Sequence, residues 1–268
     1  MEKRPLKDRD CCIPYLYAML TDSYFREGAI LVFNKPYRMS SFGLVRFVRG
    51  VITDRGKPRI KVGHAGTLDP LAEGVMVICT GKATRQAADH SGAEKEYIAE
   101  ITLGGTTASY DLETEVSILE GVEMPTQEEV LATLESFKGE QWQTPPVFSA
   151  KKINGKRAYK SARKGKEVRL LPNSIDISEL EMLSFEAPVL RFRVVCSKGT
   201  YIRSLAHDLG QKWGCGAYLS GLTRTRSGGF TLQGAYTMDG FRELVQSTRK
   251  AMLNMNDICS TESTAHEN

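Results

Sequence analysis

The sequence predicts an α+β fold: one large mixed, mainly antiparallel sheet with flanking helices. Three observations carry that prediction. Residues 95–103 alternate, with Tyr97, Ala99, Ile101 and Leu103 on one face and Glu96, Glu100 and Thr102 on the other, the period of a half-buried strand. Leu44, Phe47, Val48, Val51 and Ile52 recur at the spacing of one helical face,. Strand-like and helix-like segments are interspersed without regular βαβ alternation.

Taken in order, residues 1–27 read as an irregular extension. Residues 28–238 form the main domain, and 239–268 a C-terminal helix and tail. The apolar run Ala29 to Phe33 has strand length and is ended by Asn34-Lys35-Pro36,. Ser40 or Ser41 can cap the amphipathic helix that follows. Gly74 to Cys79 is a buried strand, and Ala83 to His90 a helix. Thr126-Gln127-Glu128-Glu129 is a capping box; Val130, Leu131, Leu134 and Phe137 complete a helix ending near Gly139,. Pro145-Pro146 enforces an extended passage, and Arg157 to Lys164 reads as a short helix stopped by Gly165. Ile175 to Phe185 and Val189 to Cys196 are strands. Thr200 opens a helix with Ile202, Leu205, Ala206, Leu209 and Trp213 on its apolar face, and Ala217 to Leu222 returns as a strand. A last helix starts near Phe241, and the polar tail Ser260 to Asn268 is expected to be disordered.

A chain of 268 residues can bury a full core,. No apolar run approaches the roughly 18 residues that span a bilayer, and the N-terminus has no signal-peptide pattern. The expectation is a cytoplasmic monomer. None of the six cysteines forms a Cys-x-x-Cys pair or stands at zinc-ligand spacing from a histidine, so reduced thiols and no metal are expected. The net charge of +4 is unevenly spread: residues 151–169 hold nine basic residues against one acid, Glu167. A second basic run comprises Arg46, Arg49, Arg55, Lys57, Arg59 and Lys61, opposed by Asp54. With Trp142, Phe148 and Tyr159 nearby, these clusters point to a nucleic acid, whose phosphates meet Lys and Arg while bases stack on aromatics.

The chemistry centres on Gly63-His64-Ala65-Gly66-Thr67-Leu68-Asp69-Pro70. Two glycines permit unusual backbone angles, and the proline pushes Asp69 into an extended conformation. The carboxylate is thus presented by a stiff loop. Alone, such an aspartate is most often a turn-former. His64 alone reads as structural, Tyr97 as a core residue and Arg203 as a surface residue.

The combination resembles the TruB-type tRNA pseudouridine synthases. Six collinear motifs carry the resemblance between Gly28 and Arg226: Asn34-Lys35-Pro36 with Met39-Ser40-Ser41; Gly63 through Gly74; Thr80-Gly81-Lys82-Ala83-Thr84-Arg85; Lys95-Glu96-Tyr97; Pro145 through Lys152; and Ser197 through Leu205. The resemblance implies the pseudouridine synthase fold with an RNA-binding cleft. It also implies isomerisation of uridine 55 in the tRNA T-loop by base flipping, without guide RNA. Asp69 matches the catalytic aspartate, Tyr97 the tyrosine stacked on the target base, and Arg203 the arginine paired with the carboxylate. Tyr201 and Leu222 match the uracil pocket, and His64 a contact to the RNA loop. Lys151 and Lys152 are expected to meet the T-arm stem-loop. The reaction involves no redox step or hydrolysis, so no cofactor is expected. Many members of the family carry a C-terminal PUA domain, and the forty or so residues after Arg226 are too few for one. The turn Gly104 to Asp111 corresponds to a more Asp-rich turn in many relatives, and its acids are assigned no role. Alternatives are the catalytic subunit of an RNA-guided H/ACA particle, a non-catalytic RNA chaperone, and a hydrolase using Asp69 and Glu73, which leaves both basic runs unexplained.

Overall fold

The computed structural model describes residues 20–54, 56–148, 152–153, 156–157 and 170–264. It opens with α1 (Asp22–Glu27), where the Thr21 hydroxyl accepts a hydrogen bond from the Tyr24 N–H. Phe25 of this helix is fully buried, edge-on to Phe241. The expected irregular extension is therefore helical over 22–27, because an N-cap and one buried aromatic anchor it.

A nine-stranded sheet forms the centre, in the order β1 (Ile30–Lys35), β3 (Glu73–Thr80), β12 (Ala217–Ser227), β4 (Lys95–Leu103), β11 (Val189–Cys196), β10 (Asn173–Glu186), β7 (Gly139–Gln143). β2 (Val62–Ala65) adds to β3, and β13 (Phe230–Thr231) to β12. The β3–β12 pairing is parallel, and the other pairings of this sheet are antiparallel. Two small ribbons lie outside it: β5 (Gly105–Thr107) with β6 (Val116–Ile118), and β8 (Lys152–Ile153) with β9 (Lys156–Arg157). The mixed, mainly antiparallel sheet is as expected.

The helices are α2 (Ser41–Ile52), α3 (Ala87–Gly92), α4 (Gln127–Ser136), α5 (Ile202–Trp213) and α6 (Met238–Thr264). Ser40 caps α2, and its Leu44, Val45, Val48 and Ile52 are buried. Thr126 and Glu129 form the capping box of α4. Leu131, placed on its apolar face, is half exposed, and the helix ends three residues before Gly139, which begins β7. The segment read as a helix from Ala83 divides into a 3-10 turn (Gly81–Gln86) and α3.

Further boundaries differ, three of them for a tertiary reason and one through a local cap. β1 runs on to Lys35 because Lys35 pairs with Gly74 across the ladder. β12 continues past Leu222 to Ser227 through pairing with β4. α5 starts at Ile202 rather than Thr200: the Gln143 side chain holds both the N–H and the carbonyl of Tyr201, at 2.8 and 3.0 Å, while the Thr200 hydroxyl donates back to Ser197. α6 begins at Met238, where Thr237 accepts from the N–H groups of Gly240 and Phe241, and it extends to Thr264. Ser260 to Thr264 are thus helical rather than disordered. Of the helix read over Arg157 to Lys164, Arg157 lies in β9; the rest falls outside the described residues. No described helix is long and apolar enough to cross a membrane.

Candidate active site

The site grows from a fork in the sheet. One edge of β3 pairs with β1 along its length; the other is shared. β2 holds Val77 to Thr80 on that second edge, and β12 holds Glu73 and Gly74. Between them the ladder opens, and the chain leaving β2 passes through Gly66, at φ 92°, into the Leu68-Asp69 loop. Arg224 of β12 plugs the fork. Its Nε donates to the Val75 carbonyl at 2.7 Å and one terminal nitrogen to the Gly66 carbonyl at 3.2 Å, satisfying backbone acceptors the ladder leaves open,. Gly74 is obligatory here, since a Cβ would lie 2.2 Å from the Arg224 carbonyl oxygen.

Two more side chains fix the loop from α2 and β1. The Ser41 hydroxyl donates to the Leu68 carbonyl at 2.7 Å and accepts from the Leu68 N–H at 2.8 Å. The Lys35 ammonium, fully buried, donates to the carbonyls of Met39 at 2.6 Å, Pro36 at 2.9 Å and Pro70 at 3.4 Å. Burial pushes its pKa down to about 8, with Glu73 and Asp69 pulling partly back.

On this frame the Asp69 carboxylate meets Arg203 of α5, with Nε to Oδ2 at 2.8 Å. Arg203 is buried and Asp69 is 37% exposed, so the cation lies beneath and the anion faces out. A terminal nitrogen of Arg203 donates to the carbonyls of Phe148 at 3.1 Å and Ser109 at 3.2 Å. Asp111, also buried, brings Oδ2 to 3.6 Å from the same Nε. Its Oδ1 accepts from the Glu113 N–H at 3.0 Å. Two of its three nitrogens are thus tied to the protein, which restricts the guanidinium,.

A cavity of about 240 Å³ opens over Asp69. Tyr97, Tyr201, Arg203 and Leu222 line it, together with Lys95, Ser91 and Arg224. Tyr97 is buried on β4 directly across the ladder from Arg224. Burial pushes its phenol up, and the charge of Arg224 only partly opposes this, so the hydroxyl is neutral near pH 7,. Lys95 is buried and donates to the carbonyls of Ser91 and Ala93. One anion, one neutral phenol, an aromatic plate and an aliphatic wall therefore surround a space open to solvent.

Five sequence-predicted residues thus converge: Asp69, Tyr97, Tyr201, Arg203 and Leu222. His64 stands apart, half-buried on β2 opposite Ile78 and outside the cavity lining. Burial, then the charge of Arg224, lowers its pKa. Lys151 lies outside the described residues; Lys152 is described only as part of β8. Among the described residues no cluster fit to hold a metal occurs. Sequence reasoning missed Asp111, Arg224 and Lys35. Arg224 lies beyond the strand end expected at Leu222, on the continuation of β12 that pairing with β4 supplies. Lys35 stood in a quoted motif without a role. Asp111 lies in the turn that corresponds to a more Asp-rich one in many relatives; the sequence assigns its acids no role, and the structure corrects this by bringing Asp111 to Arg203.

Comparison with known proteins extends this picture. A family model described as "TruB family pseudouridylate synthase (N terminal domain)" matches residues 55–202. Another, "tRNA pseudouridylate synthase B C-terminal domain", matches residues 203–257. The chain is 49% identical over 220 residues to the tRNA pseudouridine synthase B of Phocaeicola vulgatus, covering 82% of this chain and 94% of the relative. It is 53% identical over 209 residues to that of Parabacteroides distasonis, covering 78% and 89%. Among solved structures, a chain of a Cbf5-Nop10-Gar1 complex matches with TM-score 0.63 and 28% identity over 83% of this chain. A chain of an H/ACA RNP bound to a substrate RNA containing 2'-deoxyuridine gives 0.60 and 26% over 83%. This chain spans 55% and 54% of those two solved chains. The family models and the relatives share one assignment: the chain belongs to the TruB family of pseudouridine synthases, which are isomerases.

Proposed function

We propose that this chain isomerises uridine 55 in the T-loop of tRNA to pseudouridine, without a guide RNA, using Asp69 as the nucleophile. The observation that carries the reading is the Asp69–Arg203 pair at 2.8 Å, opening onto a cavity lined by Tyr97, Tyr201 and Leu222. The relatives named tRNA pseudouridine synthase B, which this chain matches over most of their length, support tRNA as the substrate.

The reaction breaks the bond between ribose C1′ and uracil N1, turns the base, joins C1′ to C5, releases the C5 proton to solvent and leaves a proton from solvent on the freed N1. Nothing is oxidised or reduced. A carboxylate can attack either C1′ or C6. Asp69 suits both routes because Arg203, with three other oxygen partners, holds it in place while one face stays open. A stacked T-loop base cannot reach this cavity, so it must leave the stack. In this reading Tyr97 and Leu222, which line the cavity, sandwich the flipped ring, and the Tyr97 hydroxyl is the candidate for proton transfer.

The basic surface supports RNA as the ligand. Arg46, Arg49, Lys57 and Arg59 line one groove, and Arg26, Arg59, Lys61, Lys82 and Arg85 line the next. From Arg85 the chain runs through α3 to Ser91, which lines the cavity over Asp69. The grooves thus lie on the segments that lead along the chain to the reacting centre, and their cations suit a phosphate backbone,.

The test is to incubate the purified chain with an unmodified tRNA transcript, without guide RNA or metal, and to map pseudouridine. One T-loop site is expected, with product formation falling at least about 10³-fold in Asp69→Ala. Unchanged product in that variant would overturn the nucleophile assignment; conversion elsewhere would overturn the substrate.

A further inference from the structure

We propose that Tyr110 and His207 are positioning residues whose stacked rings hold the Ser109–Asp111 turn against α5, and through it Arg203 on Asp69. This rests on the reading of Asp69 and Arg203 as the reacting centre.

Tyr110 has φ 64°, in the left-handed region that an aromatic side chain rarely adopts,. Such a conformation persists only where the surroundings impose it, and it gathers at functional sites. Three contacts impose it here. The Tyr110 N–H donates to the Thr107 carbonyl at 3.2 Å, and its carbonyl accepts from the Leu219 N–H of β12 at 2.9 Å. Its ring lies on that of His207 with centroids 4.0 Å apart and planes 10° from parallel. The neighbouring aromatic pairs of the core, such as Phe33 with Phe241, meet edge-on instead.

What makes the stack relevant to catalysis is its neighbours. The residue before Tyr110 supplies the carbonyl, and the residue after it the carboxylate, that face Arg203. His207 follows Arg203 by four residues on α5, one helical turn, so both project from one side of the helix,. The turn therefore meets α5 twice, through an ion pair and through a stack one turn away. Among the described residues the buried Nδ1 of His207 has no hydrogen-bond partner, and burial lowers its pKa, so the ring is held neutral against Tyr110. It does not line the cavity over Asp69, which separates it from the groups that touch the base.

The stack can be removed without the backbone cost. Tyr110→Gly accepts φ 64° freely and loses only the ring. His207→Ala removes the other half, and His207→Phe keeps a flat ring. The uridine that the parent converts is mapped first and serves as the assay site wherever it lies. Conversion outside the T-loop thus corrects the substrate without touching this test. Tyr110→Gly and His207→Ala should each lower the single-turnover rate about 10-fold with tRNA affinity within about 2-fold, the pattern of misplacement rather than lost binding. The double variant should be no slower than either single, and His207→Phe should return to within about 3-fold of the parent. In an Asp111→Asn background Tyr110→Gly should add little. A parent-like rate in Tyr110→Gly, a loss confined to affinity, or His207→Phe as slow as His207→Ala would overturn the proposal. If Tyr110→Gly does not fold, the His207→Phe against His207→Ala comparison decides. Hydrogen exchange over residues 105–116 gives a readout free of activity: it should quicken in His207→Ala and stay at the parent rate in His207→Phe, and equal exchange in all three overturns the proposal.

Discussion

Around Asp69 the cations are buried and turned on the protein; along the basic grooves half of them pair with acids or carbonyls and half are exposed without a side-chain partner among the described residues. Arg203 and Arg224 bond four backbone carbonyls between them, and Lys35 and Lys95 cap others. Arg46, Arg59, Lys61 and Arg85 are exposed and have no side-chain hydrogen bond or ion pair among the described residues. A cation whose donors end on fixed carbonyls is part of the scaffold, while one with unused donors is available to phosphate. Composition counts the two alike. The difference teaches that only the second set should respond to salt, and only the first to small changes in donor geometry.

The sharpest way to break this contrast is Arg203→Lys. Charge is kept, but a lysine cannot bridge Asp69, Phe148 and Ser109 in one plane. We expect the single-turnover rate to fall about 10²-fold, since small misplacement of a reacting group is costly, with tRNA affinity little changed. A parent-like rate would mean that charge alone suffices and that the planar geometry of the Arg203 guanidinium is incidental.

Local regularity explains what could be read beforehand. The alternation of Tyr97 to Leu103, the Thr126 capping box and the spacing of Leu44 to Ile52 are short-range patterns, and each appears where expected. The boundaries that moved were set from far away, as when Gln143 delays the start of α5 by taking both polar groups of Tyr201. The site follows the same division. Asp69, Tyr97 and Arg203 sit in dense motifs, and the cavity gathers all three. Arg224 reaches carbonyls 149 and 158 residues away, and nothing beside it in the chain announces either. Asp111 earns its place through Arg203 and Glu113, not through its own turn sequence.

A milder probe of the buried set is the pH dependence of Lys35. The folded chain holds this ammonium at about 8, whereas an unfolded lysine titrates near ~10.4. Between these values the unfolded chain keeps the proton and the folded chain does not, so stability rises with pH across the window; below about pH 8 both are charged and the contribution is flat. Lys35→Met removes this dependence. In urea titrations the parent should gain about 1–2 kcal/mol on the variant between pH 8 and pH 10. Parallel profiles would show that Lys35 titrates like an exposed lysine and is not the buried clamp on Pro70.

The smallest effect tests the exposed set. Arg46 and Arg59 face one groove, and Arg59 also faces the next, so a phosphate backbone following both grooves meets them in turn. In Arg46→Glu with Arg59→Glu, tRNA affinity at low salt should fall about 5-fold, and the slope of log affinity against log salt should flatten by about 2, one for each lost phosphate contact. The rate of bound tRNA and the melting temperature should stay at parent values, because neither side chain holds a carbonyl or packs in the core. Salt is the discriminating variable. If the charges acted only by long-range attraction, the two profiles would converge at high salt without a change consistent with two lost contacts. If the grooves lie off the RNA path, the profiles would coincide at every salt concentration, and the free cations of this face would need another partner.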